Sequence, residues 1–592
     1  MSQPSAFLGI ERSAKGRRWV DRMSPAQAQA ALNIAQRQGI PDILARVLAG
    51  RGVKADKAAE FLDPTIKALM PDPRSITDLE AAAARIADAI RKRERVAIFG
   101  DYDVDGASSA ALLARYLRFF DIETEIYIPD RIFEGYGPNP AAMQELAARA
   151  SLIVTVDCGT NSAEAFGAIA GREYDIVVLD HHQVGGPLPE TAAVVNPNRD
   201  DDLSGLGHLC AAGVVFMTLV EVSRQLRAHG VAKLPDLLGM LDLVALATVC
   251  DVVPLTGLNR AFVTKGLVAA RHLGNPGLSA LARVAAIGEP LNPFHFGFLI
   301  GPRINAGGRI GNAALGSMVL SENDPNRAAE IAAELDRLNK ERQAIEIEMV
   351  AEAKAEAERD MASGAAPSVI LTSSKDWHPG IVGLIAARLK EHTRRPAFAI
   401  ALDGSGKGTG SGRSIPGFDL GKLVRGAVEE GLLVKGGGHA MAAGITVERG
   451  KLGDLRAYFE EKAATAVTSI LDNETQAIDA ALTARGASSG LIGEIEKAGP
   501  YGSGNPEPVF VLPNHRIASS AVVGNGHLKL RLMAEDRSQL DAIAFRAAES
   551  ELGQFLSGQK GTPVHVAGTL SINHWNGRQT PQMRILDAAA PI

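Results

Sequence analysis

Apolar positions along the chain fall into three successive textures. Over roughly the first ninety residues they are mostly alanine at helical spacing, broken at Phe61-Leu62-Asp63-Pro64 and again at Pro71-Asp72-Pro73. An amphipathic helix is expected over 80–93. It leads into Val96-Ala97-Ile98-Phe99, an apolar run stopped by Gly100 that reads as a buried strand. The pattern then alternates: helical over 107–120, extended over 125–128, helical over 141–150, extended over 152–156, and helical again before Ile176-Val177-Val178-Leu179. Strand–helix repeats of this kind predict a parallel sheet covered on both faces. Residues 237–249 read as a buried helix.

The second texture begins at Asp324-Pro325, an N-cap followed by proline at the first helical position. The spacing predicts one helix to about Met361, with Ile331, Leu335, Leu338, Ile345 and Met349 on a single stripe. At about 1.5 Å per residue it would be on the order of 50 Å long, a connector between two globular lobes rather than a coiled-coil strand. Ser363-Gly364-Ala365-Ala366-Pro367 ends it, and a second α/β region follows over 368–467. After Asp479 come short alternating strands with turns such as Gly524-Asn525-Gly526, which suggest a small barrel. The expected organisation is a helical lead-in (1–80), a parallel-sheet lobe (81–320), the connector helix (321–362), a second α/β lobe (363–467) and a C-terminal β-barrel (468–592).

A chain of 592 residues exceeds one ordinary core, and 46% hydrophobic with 22% charged residues suits a folded protein. The net charge of −6 excludes a basic footprint over the whole surface, so any polyanionic substrate must be held by local arginines and metal ions. Cys158, Cys210 and Cys250 sit in apolar stretches and read as buried, reduced thiols. The polar N-terminus lacks a signal-peptide core and no apolar run is long enough to cross a bilayer, so a cytoplasmic address is expected.

Candidate chemistry collects at three strand ends. The first strand runs into Asp101-Tyr102-Asp103-Val104-Asp105-Gly106, where an extended backbone would project the three carboxylates from one side. The second delivers Asp157 and the third Asp180-His181-His182; Asp251 ends the apolar helix. Ligands of open parallel sheets bind beyond the carboxyl ends of the strands, so these groups should converge. Crowded carboxylates repel one another and would take up protons unless dications lie between them. Oxygen and imidazole donors without thiolate favour Mn²⁺ or Mg²⁺, and so many donors suit two ions sharing a carboxylate, the arrangement of two-metal phosphoryl hydrolysis.

Gly100-Asp101-Tyr102-Asp103-Val104-Asp105-Gly106, Val156-Asp157-Cys158-Gly159, Asp180-His181-His182 and Val249-Cys250-Asp251-Val252-Val253-Pro254 resemble the four motifs of the DHH phosphoesterases. Arg131-Ile132-Phe133-Glu134-Gly135-Tyr136-Gly137, Pro302-Arg303-Ile304-Asn305-Ala306-Gly307-Gly308-Arg309, Trp377-His378-Pro379-Gly380, Gly412-Arg413-Ser414-Ile415, Gly437-Gly438-His439-Ala440 and Tyr501-Gly502-Ser503-Gly504-Asn505-Pro506 resemble their RecJ branch. The resemblance implies an exonuclease cutting single-stranded DNA from 5′ to 3′ by a two-metal mechanism, releasing 5′-mononucleotides in repair and recombination. It implies a DHH-associated second lobe facing the metal site across a cleft, and a barrel of oligonucleotide-binding type.

On that resemblance Asp101, Asp103 and Asp157 hold one ion, and Asp105, Asp157, His181 and Asp251 the other, with His182 toward phosphate. Phe99 stands where many relatives carry histidine, so Asp101 supplies the missing ligand. Arg131, Arg303 and Arg413 are the implied phosphate contacts, since a guanidinium fork matches phosphate oxygens. Tyr136, Asn305, His378, Ser411, Ser414, Gly438, His439, Tyr501 and Trp575 complete the implied substrate surface, and the glycine-rich 404–412 segment, which is not a Walker motif, is expected as a loop near the strand. Expected partners are single-stranded DNA, a single-stranded-DNA-binding protein and a helicase, with the enzyme itself monomeric. A relative cutting short oligonucleotides, cyclic dinucleotides or pyrophosphate, and a DNA-binding protein that has lost hydrolysis, are the alternatives.

Overall fold

The computed structural model describes residues 5–130, 134–169, 174–362, 364, 366–575 and 578–591. The chain forms two compact units, one of residues 69–253 and 258–471, the other of residues 1–68, 254–257 and 472–592. Among the described residues no helix is long and apolar enough to cross a membrane.

The larger unit begins with helix α1 (Leu79–Lys92), which leads into a five-stranded sheet of β1 (Val96–Gly100), β2 (Thr124–Tyr127), β3 (Leu152–Val156), β4 (Asp175–Leu179) and β5 (Ala193–Val195). Its spatial order is β2-β1-β3-β4-β5 and every pairing is parallel. All residues of β1 and β3 are buried, as expected of strands covered on both faces. Helices α2 (Val104–Arg118) and α3 (Ala211–Ala228) pack on the sheet, α4 (Leu241–Cys250) packs on α2 and α3, and α5 (Gly301–Ile310) follows them in the chain.

Helix α6 (Pro325–Ala362) has 38 residues, about 57 Å at 1.5 Å per residue. Asp324 caps it, accepting from the Asn326 amide at 2.8 Å. Of the apolar stripe, Ile331, Leu335, Leu338 and Met349 are buried and Ile345 is half-buried. Its first half packs on α5, where a Cβ at Gly311 would lie 2.6 Å from Leu338. Its second half belongs to the second lobe: Met349, Ala353 and Ala357 share a core with Trp377 and Ile385, and the Trp377 indole donates to Glu352 at 2.6 Å. One continuous helix thus carries both lobes.

The second lobe is built on β6 (Ile370–Ser374), β7 (Ala397–Leu402), β8 (Lys407–Arg413), β9 (Lys435–Gly438) and β10 (Ala442–Glu448), with helix α7 (Leu420–Glu429) against β9 and β10. Only β6 and β7 pair in parallel. The 404–412 segment is mostly strand β8 rather than a loop. Its glycines make room for neighbouring side chains, since a Cβ at Gly412 would lie 2.4 Å from Phe398 and one at Gly410 2.8 Å from Ile400 and Ile445.

In the smaller unit β11 (Phe510–Val523), β12 (His527–Met533), β13 (Gln539–Ala544), β14 (Pro563–Trp575) and β15 (Arg578–Ala589) close into a five-stranded barrel through the β11–β14 pairing. The N-terminal segment differs from the helical reading in one respect: Arg18–Asp21 is a strand, paired in parallel with Thr475–Ile478. Four residues are too few for a period to show. The tie is ionic as well. Asp479, 2% exposed, accepts from Arg22 and Arg51 at 3.0 Å each and from the Val509 amide at 2.8 Å. Asp479→Ala would leave two arginines without their buried partner, so unfolding of this unit in urea should show a loss of about 3–5 kcal/mol. A loss below about 1 kcal/mol would mean that the apolar packing alone holds the N-terminal segment to the barrel.

Candidate metal centre

The sheet register sets the site. Gly100 pairs with Val156, Val156 with Leu179, and Leu179 with Val195. The next residue of each strand therefore stands in one row along the carboxyl edge: Asp101, Asp157, Asp180 and Asn196. β1 has β2 on one side and β3 on the other, so the chain reverses direction across the sheet there. Such a switch point is where open α/β sheets bind their ligands.

Convergence of the first three aspartates has a different cause from strand alternation. The strand stops at Gly100, and Asp103 is the N-cap of α2, accepting from the amides of Asp105 (2.8 Å) and Gly106 (3.1 Å). Asp105 lies in the first helical turn, so a tight strand–helix turn brings the three together. Gly106 is required there, because a Cβ would lie 2.4 Å from the Asp101 carbonyl oxygen. Asp105 is held by the amides of Ala211 (2.6 Å) and Ala212 (2.8 Å) at the start of α3.

Ligand atoms of three sets lie within 4.8 Å of one another: Asp101, Asp103 and Asp157; Asp105, His181 and Asp251; and Asp157, His181 and His182. His181 Nε2 stands 3.2 Å from Asp157, 3.7 Å from Asp105 and 3.8 Å from Asp251. Asp157 is the central carboxylate, and its backbone has φ of +61°. Val252, next to Asp251, has φ of +60°, a costly conformation for a β-branched residue. Phe99 points into the core, stacked on Tyr127 at 5.5 Å.

Burial, and then the neighbouring aspartates, push Asp251 up to about 9 and Asp157 well above the usual carboxylate range. Burial also raises Asp105. The buried Oδ1 of Asp157 has His181 Nε2 at 3.2 Å but makes no well-aligned hydrogen bond among the described residues, an expensive state for a carboxylate oxygen. Divalent cations between these groups would relieve both the repulsion and the missing contact. The donors are oxygens and imidazole nitrogens; Cys158 and Cys210 are buried free thiols, and Cys250 is a half-buried one. This donor set fits Mn²⁺ or Mg²⁺.

Asp180 is not a member of the three sets. It accepts from the amides of Thr160 (3.0 Å), His181 (2.7 Å) and His182 (3.2 Å) and from His182 Nδ1 (2.8 Å). Burial opposes its ionisation, but these bonds hold it well below the usual carboxylate range. Burial likewise opposes charge on His182, yet the Asp180 hydrogen bond prevails and raises it to about 9. With Nδ1 on Asp180, the other ring nitrogen meets the Tyr136 hydroxyl at 3.2 Å. Asn196 and Asn198 donate to the carbonyls of His182 (2.8 Å) and His181 (2.6 Å). Sequence reasoning missed these two asparagines, although Asn196 occupies the same edge row as the aspartates.

A cleft cavity of about 620 Å³ is lined by His181, His182 and Asp251 from the first lobe and by Asp419, Arg425 and His439 from the second. Gly438 lines it too, and borders a second cavity of about 720 Å³ with Ser411, Arg413 and Lys435. His378 accepts from the Gly380 amide at 3.1 Å beside this second cavity, which Gly380 lines. Tyr136 is 54% exposed. Asn305 shares a face of α5 with Gly301 and Gly308, which pack against Cys250 and Tyr102. Three expected substrate contacts are otherwise engaged. Ser414 is buried and donates to the Phe418 carbonyl at 2.7 Å, Arg303 is paired with Asp336 at 2.9 Å, and Tyr501 lies under Arg51 with its hydroxyl on the Ile495 carbonyl. Arg131 lies outside the described residues, and of Trp575 only the backbone is described, paired with Arg578.

Family models match in three places: the DHH family N-terminal domain over residues 95–248, the DHHA1 domain over 366–465 and the RecJ OB domain over 478–587. The single-stranded-DNA-specific exonuclease RecJ of Bacillus subtilis is 33% identical over 94% of this chain and 69% of its own length. That of Escherichia coli is also 33% identical, over 93% of this chain and 96% of its own. The crystal structure of Thermus thermophilus RecJ in complex with Mn²⁺ superposes with a TM-score of 0.79 at 29% identity, covering 97% of this chain and 79% of that one. The Mg²⁺ complex gives 0.73, covering 97% and 78%.

Proposed function

The chain belongs to the RecJ family of single-stranded-DNA-specific exonucleases, and from that premise we propose how its residues divide the work. It is a metal-dependent phosphodiesterase acting on single-stranded DNA. Asp101, Asp103 and Asp157 would hold one manganese or magnesium ion, and Asp105, Asp157, His181 and Asp251 a second, Asp157 bridging. When bound, the ions supply the positive charge that in-line attack of water at phosphorus requires. The observation that carries this reading is the convergence of three carboxylate–imidazole sets at the sheet's switch point.

His182, charged at neutral pH through its bond to Asp180, presents a cation to a phosphate oxygen, and Tyr136 fixes the ring from its other nitrogen. Asp180 acts through His182 as a positioning residue. Across the cleft His439 and the Gly438 backbone meet the phosphate that lies beyond the scissile one, and Ser411 and Arg413 follow the strand along the second cavity. The barrel adds a surface for single-stranded DNA, with exposed Lys529 on β12. Strands are cut from 5′ to 3′ into 5′-mononucleotides, in repair and recombination. The enzyme works as a cytoplasmic monomer, alongside a single-stranded-DNA-binding protein and a helicase.

Digestion of a single strand labelled at either end tests this directly. With Mn²⁺ or Mg²⁺ the 5′ label should appear at once as a mononucleotide while the 3′-labelled strand shortens progressively; duplex and metal-free samples should stay intact. Early release of the 3′ label would overturn the polarity. Equal attack on duplex would overturn the strand selectivity.

A further inference from the structure

Resting on the reading above, we infer that Arg425 is a substrate-phosphate contact of the cleft, gripping a phosphate other than the scissile one. Arg425 belongs to α7 and lines the same cavity as His181, His182 and Asp251. Its side chain is exposed, and its guanidinium has a single long hydrogen bond, 3.5 Å to the Gly438 carbonyl, with no ion pair among the described residues. Arg303 differs, since Asp336 already neutralises it. An arginine with its fork uncommitted, in a cavity that also holds His181, His182 and His439, suits an anion arriving from solution.

The fold places this arginine rather than leaving it to chance. Gly421 lies so close to β9 that a Cβ there would stand 2.6 Å from the Gly438 carbonyl oxygen. The helix is thereby seated on the glycine strand, and Arg425, four residues on, emerges from the same face at the cleft. A Cβ at Gly436 would stand 2.7 Å from Val424 of the helix, whereas nothing stands within 4 Å of one at Gly437, so the strand's other face, along the second cavity, is open to a ligand's approach. Converging ligands on the first lobe would engage the scissile group. Arg425, on the second, meets the next phosphate of a chain that spans both lobes, which ties it to polymeric rather than mononucleotide substrates.

The test compares wild type with Arg425→Gln and Arg425→Lys on a thymidine 20-mer in Mg²⁺. Arg425→Gln should raise KM about tenfold with kcat changed less than about twofold, the loss of one charge-assisted contact. The slope of log affinity against log salt should flatten by about 0.7, one phosphate's share on a single strand. Lysine should recover part of the KM. Neutral methylphosphonates scanned along the strand should weaken wild type at one position to which Arg425→Gln is indifferent. Unchanged KM and salt slope in Arg425→Gln, with wild type active, would overturn the contact alone. A wild-type enzyme inert on single strands would remove the functional reading and the contact together.

Discussion

Replacing Asp157 with asparagine should lower nucleotide release from single-stranded DNA by about 10³-fold or more while the protein stays folded. Asp157 belongs to the Asp101–Asp103–Asp157 set and stands 3.2 Å from His181 of the Asp105–His181–Asp251 set, so losing its charge would weaken both proposed ion positions at once. Several kcal/mol of electrostatic stabilisation depend on it, and about 4 kcal/mol already corresponds to 10³ in rate. Asparagine is the informative substitute. It preserves the shape of the carboxyl group and tolerates the left-handed backbone, φ of +61°, that the site imposes. In metal-free protein burial raises the Asp157 carboxyl well above the usual carboxylate range, so asparagine, which has no proton to lose, should make thermal unfolding less sensitive to rising pH. Activity measurements and calorimetry on the same samples check both halves. Retention of more than a tenth of wild-type activity would end the assignment of Asp157 as the shared ligand.

Without divalent ions the melting temperature should fall steadily between pH 6 and 9, and saturating Mg²⁺ should make that fall shallower. Asp251 is raised to about 9, and Asp105 and Asp157 are raised with it, against an unfolded carboxylate value near 3.9. Across this window the native protein binds more protons than the unfolded chain, so stability drops as pH climbs. His182, raised to about 9, works in the same direction, its stabilisation being lost as pH passes through that value. Asp180, held low, acts only under acid conditions, where protonation removes its contribution. Metal binding requires the deprotonated carboxylates and therefore strengthens as pH rises. At about 100 times its dissociation constant an ion contributes roughly 2.7 kcal/mol per site. Calorimetry with chelator and with Mg²⁺ over pH 6–9 measures the difference. Parallel curves would mean that these carboxylates do not meet the ions.

The chain itself determined the order of elements and the chemistry of the site. Apolar runs such as Val96–Phe99, with an aspartate just beyond three of the strands, could be read directly as a sheet with a metal-binding edge, because strand burial and side-chain type are local properties. The 38-residue helix was equally legible, since its stripe and its Asp324-Pro325 start are both written locally.

Tertiary structure decided what depends on partners distant in the chain. Whether Arg303 is free for phosphate rests on Asp336, whether Ser414 can reach a ligand rests on the Phe418 carbonyl, and neither partner is marked in the motif that contains the residue. Strand pairing between Arg18–Asp21 and Thr475–Ile478 joins segments more than four hundred residues apart, for which neither carries a local signal. Arg425 stands outside every recognisable motif, and only the packing of Gly421 against Gly438 brings it to the cleft. Side-chain character is encoded residue by residue, whereas availability is a property of neighbours, and neighbours are assigned by the fold.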